Sequence, residues 1–179
     1  MSLTLDIPFV RQHFPMYHEP QNFSGHFFDS AAGSFPCTET IDALAGFYRN
    51  NKLQPGNPFS PSDAGMEKML YSKHRWANAL GVQTHEIGFG PSTSQNTYVL
   101  AHAFSQWLTK GDEVIVTNCD HESNTGAIRR AVEQAGATVR EWQVDAATGL
   151  LLEEDLSKLL NASTKLVCFP HASNVTGQK

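Results

Sequence analysis

The sequence predicts an α/β fold: a mostly parallel sheet with helices on both faces. Three observations carry that reading. From residue 86 onward, short runs rich in β-branched and aromatic residues alternate with segments of helical periodicity. The connections between them are short and punctuated by glycine, as in successive strand–helix–strand crossovers. The 179 residues, 40% hydrophobic and 17% charged, suffice for a sizeable core and have an ordinary globular composition.

The elements follow in order. Asp6 is positioned to cap a short helix running to His13, with Pro8 tolerated in its first turn. Residues 15–25 read as loop, and "HFFDSAAGSFP" (residues 26–36) as a short apolar stretch opening into a small-residue turn. A helix is expected over residues 38–52, because Ile41, Leu44, Ala45 and Tyr48 recur on one face. Three prolines and a glycine make residues 54–61 irregular. Ser62 then caps a helix carrying Met66, Met69, Leu70, Ala77 and Leu80 on one side, which Gly81 ends.

Beyond this point strands and helices alternate. A strand over 86–90 leads to a helix bearing Leu100, Ala103, Phe104, Trp107 and Leu108. A strand over 113–117 precedes a helix over 124–135 that buries Ile128, Ala131 and Val132 and stops at Gly136. A strand over 138–144, a turn at 146–149, a helix over 153–160 and a last strand over 165–170 complete the pattern.

Composition narrows the function. The net charge is −5 and the 13 Lys and Arg are scattered, so no nucleic-acid surface is expected. No apolar run approaches the roughly 18 residues of a membrane span. The first residues lack the pattern of a secretory signal, and three cysteines, Cys37, Cys119 and Cys168, are too few for a disulfide framework. A cytoplasmic location is the expectation.

Ligands of parallel sheets bind at the carboxyl ends of the strands. "GFGPSTSQN" (residues 88–96) opens a helix there, and its free N–H groups, with Thr93 and Ser94 hydroxyls, suit an anion. The simpler reading is a Ser/Thr helix cap. "TNCDHESN" (residues 117–124) offers His121, which could stack on a planar ligand, move a proton, or be an ordinary loop histidine. Cys119 and His121 with Cys168 and His171 suggest a metal set, but neither pair has an established zinc spacing, and no metal is expected. "PHASNVTGQ" (residues 170–178) places Asn174, a donor and an acceptor, at the sheet mouth, or merely forms a turn.

The order "FDSAAGSFP", "FGPSTSQN", "GDEVIVTNCDHESN", "AGATVREWQVDAATGLL", "TKLVCFPHASNVTG" resembles the N-terminal half of class V aminotransferases. These are fold-type-I pyridoxal-phosphate enzymes, and the resemblance is closest to their cysteine-desulfurase-like branch. It implies pyridoxal 5'-phosphate as cofactor. Thr93 and Ser94 match the hydroxyl pair on the cofactor phosphate, and Ser94 is the firmer match. His121 matches the histidine stacked on the pyridine ring. Asn174 matches the asparagine beside the cofactor's phenolic oxygen and the substrate. Ala31, Ala32 and Gly33 match the small-residue turn near the substrate.

The resemblance further implies a lysine for the Schiff base and an acid under the pyridine nitrogen, both later in the family's chain than "SNVTG". Neither is matched here, since Lys179 lies too close to Asn174. The expectation is therefore the N-terminal part of an aminotransferase or cysteine desulfurase that acts on an amino acid through an aldimine, inactive by itself and homodimeric at full length. Residues 1–60 would contribute to a small domain and the active-site entrance, and residues 61–179 to a truncated cofactor-binding large domain. The alternative is a non-catalytic α/β domain that binds a phosphorylated ligand or a partner chain.

Overall fold

The computed structural model describes residues 4–18 and 25–179. The chain forms two compact units, residues 1–88 and 89–179. The expected loop over 15–25 lies partly outside the described residues.

The first unit is helical among its described residues. Helix α1 (Ile7–Gln12) starts where Asp6 Oδ1 accepts the Phe9 N–H at 3.0 Å. A short 3₁₀ turn (Pro15–Tyr17) follows, where the sequence suggested plain loop. Helix α2 (Thr38–Asn50) is anchored to the end of α1: Thr38 N–H donates to the His13 carbonyl at 2.8 Å, and the His13 ring pairs with Glu39. Helix α3 (Ser60–Leu80) starts two residues before the expected cap. Ser62 sits inside its first turn, fully buried. Its hydroxyl donates to the Gln54 carbonyl (2.7 Å) and accepts the Asn57 N–H (2.9 Å), which ties the irregular stretch to the helix. Gly81 adopts φ 69°, the left-handed stop that a glycine tolerates without steric cost.

The apolar faces of the two longer helices are largely open, and one expectation fails. Ile41, Leu44 and Tyr48 are exposed, and α2 buries no residue; of the apolar side of α3, Met69, Leu70 and Leu80 are also exposed. The periodicity identified helices, but among the described residues the stripe of α2 is largely uncovered and that of α3 is covered only in part, at Ala77 and Met66. The expected strand over 86–90 is absent. Thr84–Glu86 is a 3₁₀ turn closed by the Gln83 N–H donating to Glu86 Oε2 at 2.7 Å. Ile87 is extended (φ −90°, ψ 118°), but residues 87–90 pair with no strand among the described residues. Alternation can suggest a strand but cannot provide its ladder partner.

The second unit is the α/β body. Helix α4 (Thr93–Ser105) is capped by Ser92, whose Oγ accepts the Gln95 N–H at 3.2 Å. Strand β1 (Glu113–Thr117), helix α5 (Glu122–Gln134), strand β2 (Thr138–Trp142), helix α6 (Glu153–Leu159) and strand β3 (Thr164–Val167) follow. The three strands are all parallel, in the order β2-β1-β3. β1 runs in the middle, with Glu113 opposite Thr138 on one side and Thr164 on the other. This central place explains its continuous apolar run: Val114, Ile115 and Val116 are fully buried. Val114 and Val116 meet Ala127, Ile128, Ala131 and Val132 of α5 and Ala101 of α4, with Leu166 and Cys168 alongside. The expected stripe of α5 is thus the one that finds a core. That of α4 is mostly outward, with Leu100 and Trp107 exposed. At the last position of β2, Trp142 is buried and its Nε1 donates to the Leu152 carbonyl at 3.0 Å.

Candidate ligand site beside the central strand

The loops after β1 and β3 are built from local hydrogen bonds. At the end of β1, Asn118 Oδ1 accepts the Val144 N–H at 2.9 Å, holding the chain that leaves β2. Asp120 Oδ1 accepts the His121 N–H (2.6 Å) and the Asn124 side-chain amide (2.8 Å). Thr97 donates to Asn124 Oδ1 at 3.3 Å, so α4 and the start of α5 are joined through the Asn124 side-chain amide.

His121 is the N-cap of α5. The Ser123 N–H donates to its Nδ1 at 3.0 Å and the Ser123 hydroxyl lies 2.8 Å from the same nitrogen. An accepting Nδ1 places the ring proton on Nε2, and the exposed ring keeps that N–H available to a ligand.

Ser94 and His121 come together on one cleft of about 730 Å³, lined also by Ser92, Gln95, Tyr98 and Arg130. Thr93 is exposed at the first position of α4. Asn174 is exposed on the loop after β3. Ala31, Ala32 and Gly33 belong to the first unit, in an exposed turn where the Ala32 N–H donates to the Asp29 carbonyl at 3.1 Å.

Sequence reasoning missed three residues. Ser92, not Thr93 or Ser94, caps α4, so the cap reading and the ligand-donor reading fall on different hydroxyls. Gly90 lies under Asn96: a Cβ there would sit 1.6 Å from Asn96 Oδ1, so only glycine leaves that amide its place. Ser173 is buried, donates to the Cys119 carbonyl at 2.5 Å, and accepts the Val175 and Thr176 N–H groups at 3.1 Å each. It fixes the Asn174 loop to the His121 loop. The signal available in sequence was only "SN" in a polar loop, indistinguishable there from a turn.

Cys119 and Cys168 are poorly suited to metal or nucleophilic roles. Cys119 is buried with its thiol directed at Thr117. Burial pushes the Cys168 thiol up to about 11, and the Asp120 carboxylate adds to the effect. A raised value lowers the thiolate fraction while a more basic thiolate attacks faster. Native Cys168 should therefore alkylate with iodoacetamide at pH 8 about tenfold more slowly than in the unfolded chain. Peptide mass mapping over a time course checks this, and equal native and unfolded rates would contradict the burial argument.

Hydroxyls, an amide, a protonated imidazole nitrogen and a guanidinium around one cleft can hold a planar ligand that carries an anion. In parallel α/β bodies small molecules generally bind at the strand ends, beside loops and helix starts of this kind. The aminotransferase class-V family model matches residues 26–179, and the chain belongs to that family.

A probable cysteine desulfurase of Mycolicibacterium paratuberculosis is 29% identical over 176 residues, covering 96% of this chain and 26% of that protein. An aminotransferase-like protein of Gibberella zeae is 29% identical, over 98% of this chain and 44% of its own length. The chain thus spans less than half the length of these relatives. The apo cysteine desulfurase of Thermococcus onnurineus has the same fold with a TM-score of 0.83 at 23% identity, across 97% of this chain and 42% of that one. The fold is therefore part of the fold of the pyridoxal-phosphate-dependent cysteine desulfurases, as the sequence predicted. No helix among the described residues is long and apolar enough to cross a membrane.

Proposed function

We propose that this chain is the N-terminal part of a pyridoxal-phosphate-dependent enzyme acting on an amino acid, with cysteine-desulfurase-like chemistry. The observation that carries the reading is the meeting of Ser94 and His121 on one donor-rich cleft. The names of the relatives support the desulfurase branch, and the family match weighs against a non-catalytic binding domain.

In this reading Ser94, with Thr93 and the capping Ser92 beside it, binds the cofactor phosphate at the start of α4. His121 lays its ring against the pyridine, oriented by the two Ser123 donors on Nδ1. Asn174, held in place by Ser173, orients the substrate side, and residues 31–33 border the substrate. Bound pyridoxal phosphate supplies the electron sink for bond breaking next to the amino group, and the protein supplies position and electrostatics. Residues 1–60 would belong to a small domain and residues 61–179 to the cofactor domain of a cytoplasmic homodimer.

The test is cofactor titration of the full-length protein by absorbance. Ser94→Ala should weaken cofactor binding by roughly 0.5–3 kcal/mol, as for a lost hydrogen bond to a charged group, and Thr93→Ala by no more. His121→Ala should lose about 0.5–1.5 kcal/mol from the ring contact. Unchanged dissociation constants in all three variants would overturn the assignment and leave residues 91–95 a helix cap only.

A further inference from the structure

We propose that Arg130 makes the wall of this cleft formed by α5 an anion-reading surface, engaging either the cofactor phosphate or the carboxylate of the amino-acid substrate. The proposal rests on the cofactor reading only for the identity of the anion.

Residues 122, 126 and 130 share one face of α5 at successive turns. Glu122 and Arg130 both line the cleft. Their Cα atoms are about 12 Å apart along the axis, two turns, which discourages a direct pair. Gly126 lies between them and gives Glu122 a place to lie down: a Cβ at 126 would sit 2.0 Å from Glu122 Oε1. The carboxylate that lines the cleft is thereby folded against the helix. The neighbouring Arg129 is occupied, with its guanidinium 2.5 Å from Glu141 Oε1. Arg130 is exposed and makes no ion pair among the described residues.

The rest of the lining adds hydrogen-bond donors. The Ser94 hydroxyl, the Gln95 amide, the Tyr98 hydroxyl and the His121 Nε2–H surround the same space. A cation with a planar fork of donors beside three or four neutral donors favours a phosphate or carboxylate over a neutral or cationic ligand. Glu122 opposes that charge, which makes Arg130 the group whose loss should be felt.

The experiment uses the full-length protein with Arg130→Gln and Arg130→Lys. Cofactor-free protein is titrated calorimetrically with inorganic phosphate; cofactor-loaded protein is titrated spectroscopically with L-cysteine and with cysteamine, which lacks the carboxylate. In Arg130→Gln, phosphate affinity falling at least about tenfold identifies the cofactor phosphate as the anion. A similar fall for L-cysteine with cysteamine unchanged identifies the substrate carboxylate. Arg130→Lys, which keeps the charge and loses the fork, should fall in between. Phosphate and L-cysteine affinities within twofold of wild type in both variants would overturn the proposal, while a cofactor defect in Ser94→Ala would leave the cofactor reading intact. Arg130-dependent phosphate binding in a protein that takes up no pyridoxal phosphate would sustain this proposal and sink the cofactor reading.

Discussion

Ile115→Ala is expected to destabilise the second unit by about 2–5 kcal/mol, the usual cost of emptying a fully buried aliphatic site. Ile115 occupies the middle of β1, is 0% exposed, and is paired on both sides, with Arg140 on β2 and Val167 on β3. Strands that flank it cannot close over the lost volume without shifting their own ladders, so little relaxation is available. Urea unfolding followed by far-ultraviolet circular dichroism provides the measurement. Glu133→Ala, an exposed position on α5, is the control and should change stability by no more than about 0.5 kcal/mol. A loss below about 1 kcal/mol at Ile115 would mean that the sheet is not the cooperative centre of the unit.

Ser173→Ala is the second large effect. The residue is 6% exposed and its hydroxyl makes three hydrogen bonds, one given to the Cys119 carbonyl and two received from Val175 and Thr176. Removing it takes this donor from the carbonyl of buried Cys119, at a cost of about 1–3 kcal/mol. The two loops also lose their direct connection. Amide exchange of Val175 and Thr176 should accelerate more than that of β1, and the substrate constant should rise more than the cofactor constant, because Asn174 loses its support before Ser94 does. Ser173→Thr retains the hydroxyl and should recover part of both. Uniform acceleration across the unit would instead indicate a simple loss of global stability.

What the sequence revealed followed from how local each feature is. Residues 113–117 form the strand that the run of β-branched residues suggests, because a central parallel strand is apolar on both faces. The stripe of Ile128, Ala131 and Val132 marks α5 for the same local reason. The segment 86–90 has an equally good alternation, yet forming a strand depends on a distant partner, and the exposed stripe of α2 depends on a distant cover. Boundaries slipped where capping decided them: α5 begins at Glu122 because His121 caps it through its side chain, a role less often taken by histidine than by Ser, Thr, Asp or Asn. In the site, His121 and Ser94 were visible as residue types at strand ends. Ser92 was not, because three neighbouring hydroxyls could each have been the cap; nor were Ser173 and Arg130, since a hydroxyl bonded to Cys119 and a guanidinium without an ion pair among the described residues depend on neighbours far along the chain.

The burial of Trp142 gives the protein a built-in optical label. The chain has three tryptophans; Trp142 is 7% exposed and its indole N–H is hydrogen-bonded, whereas Trp76 and Trp107 are 52% and 75% exposed. Emission should therefore be a mixture of one short-wavelength component and two long-wavelength ones. Iodide reaches the exposed indoles first, so the quenched spectrum should shift to the blue and isolate Trp142. That residue closes β2, on the same sheet that carries the candidate site, so the unquenched component reads the second unit alone, and Trp76, on α3, reads the first.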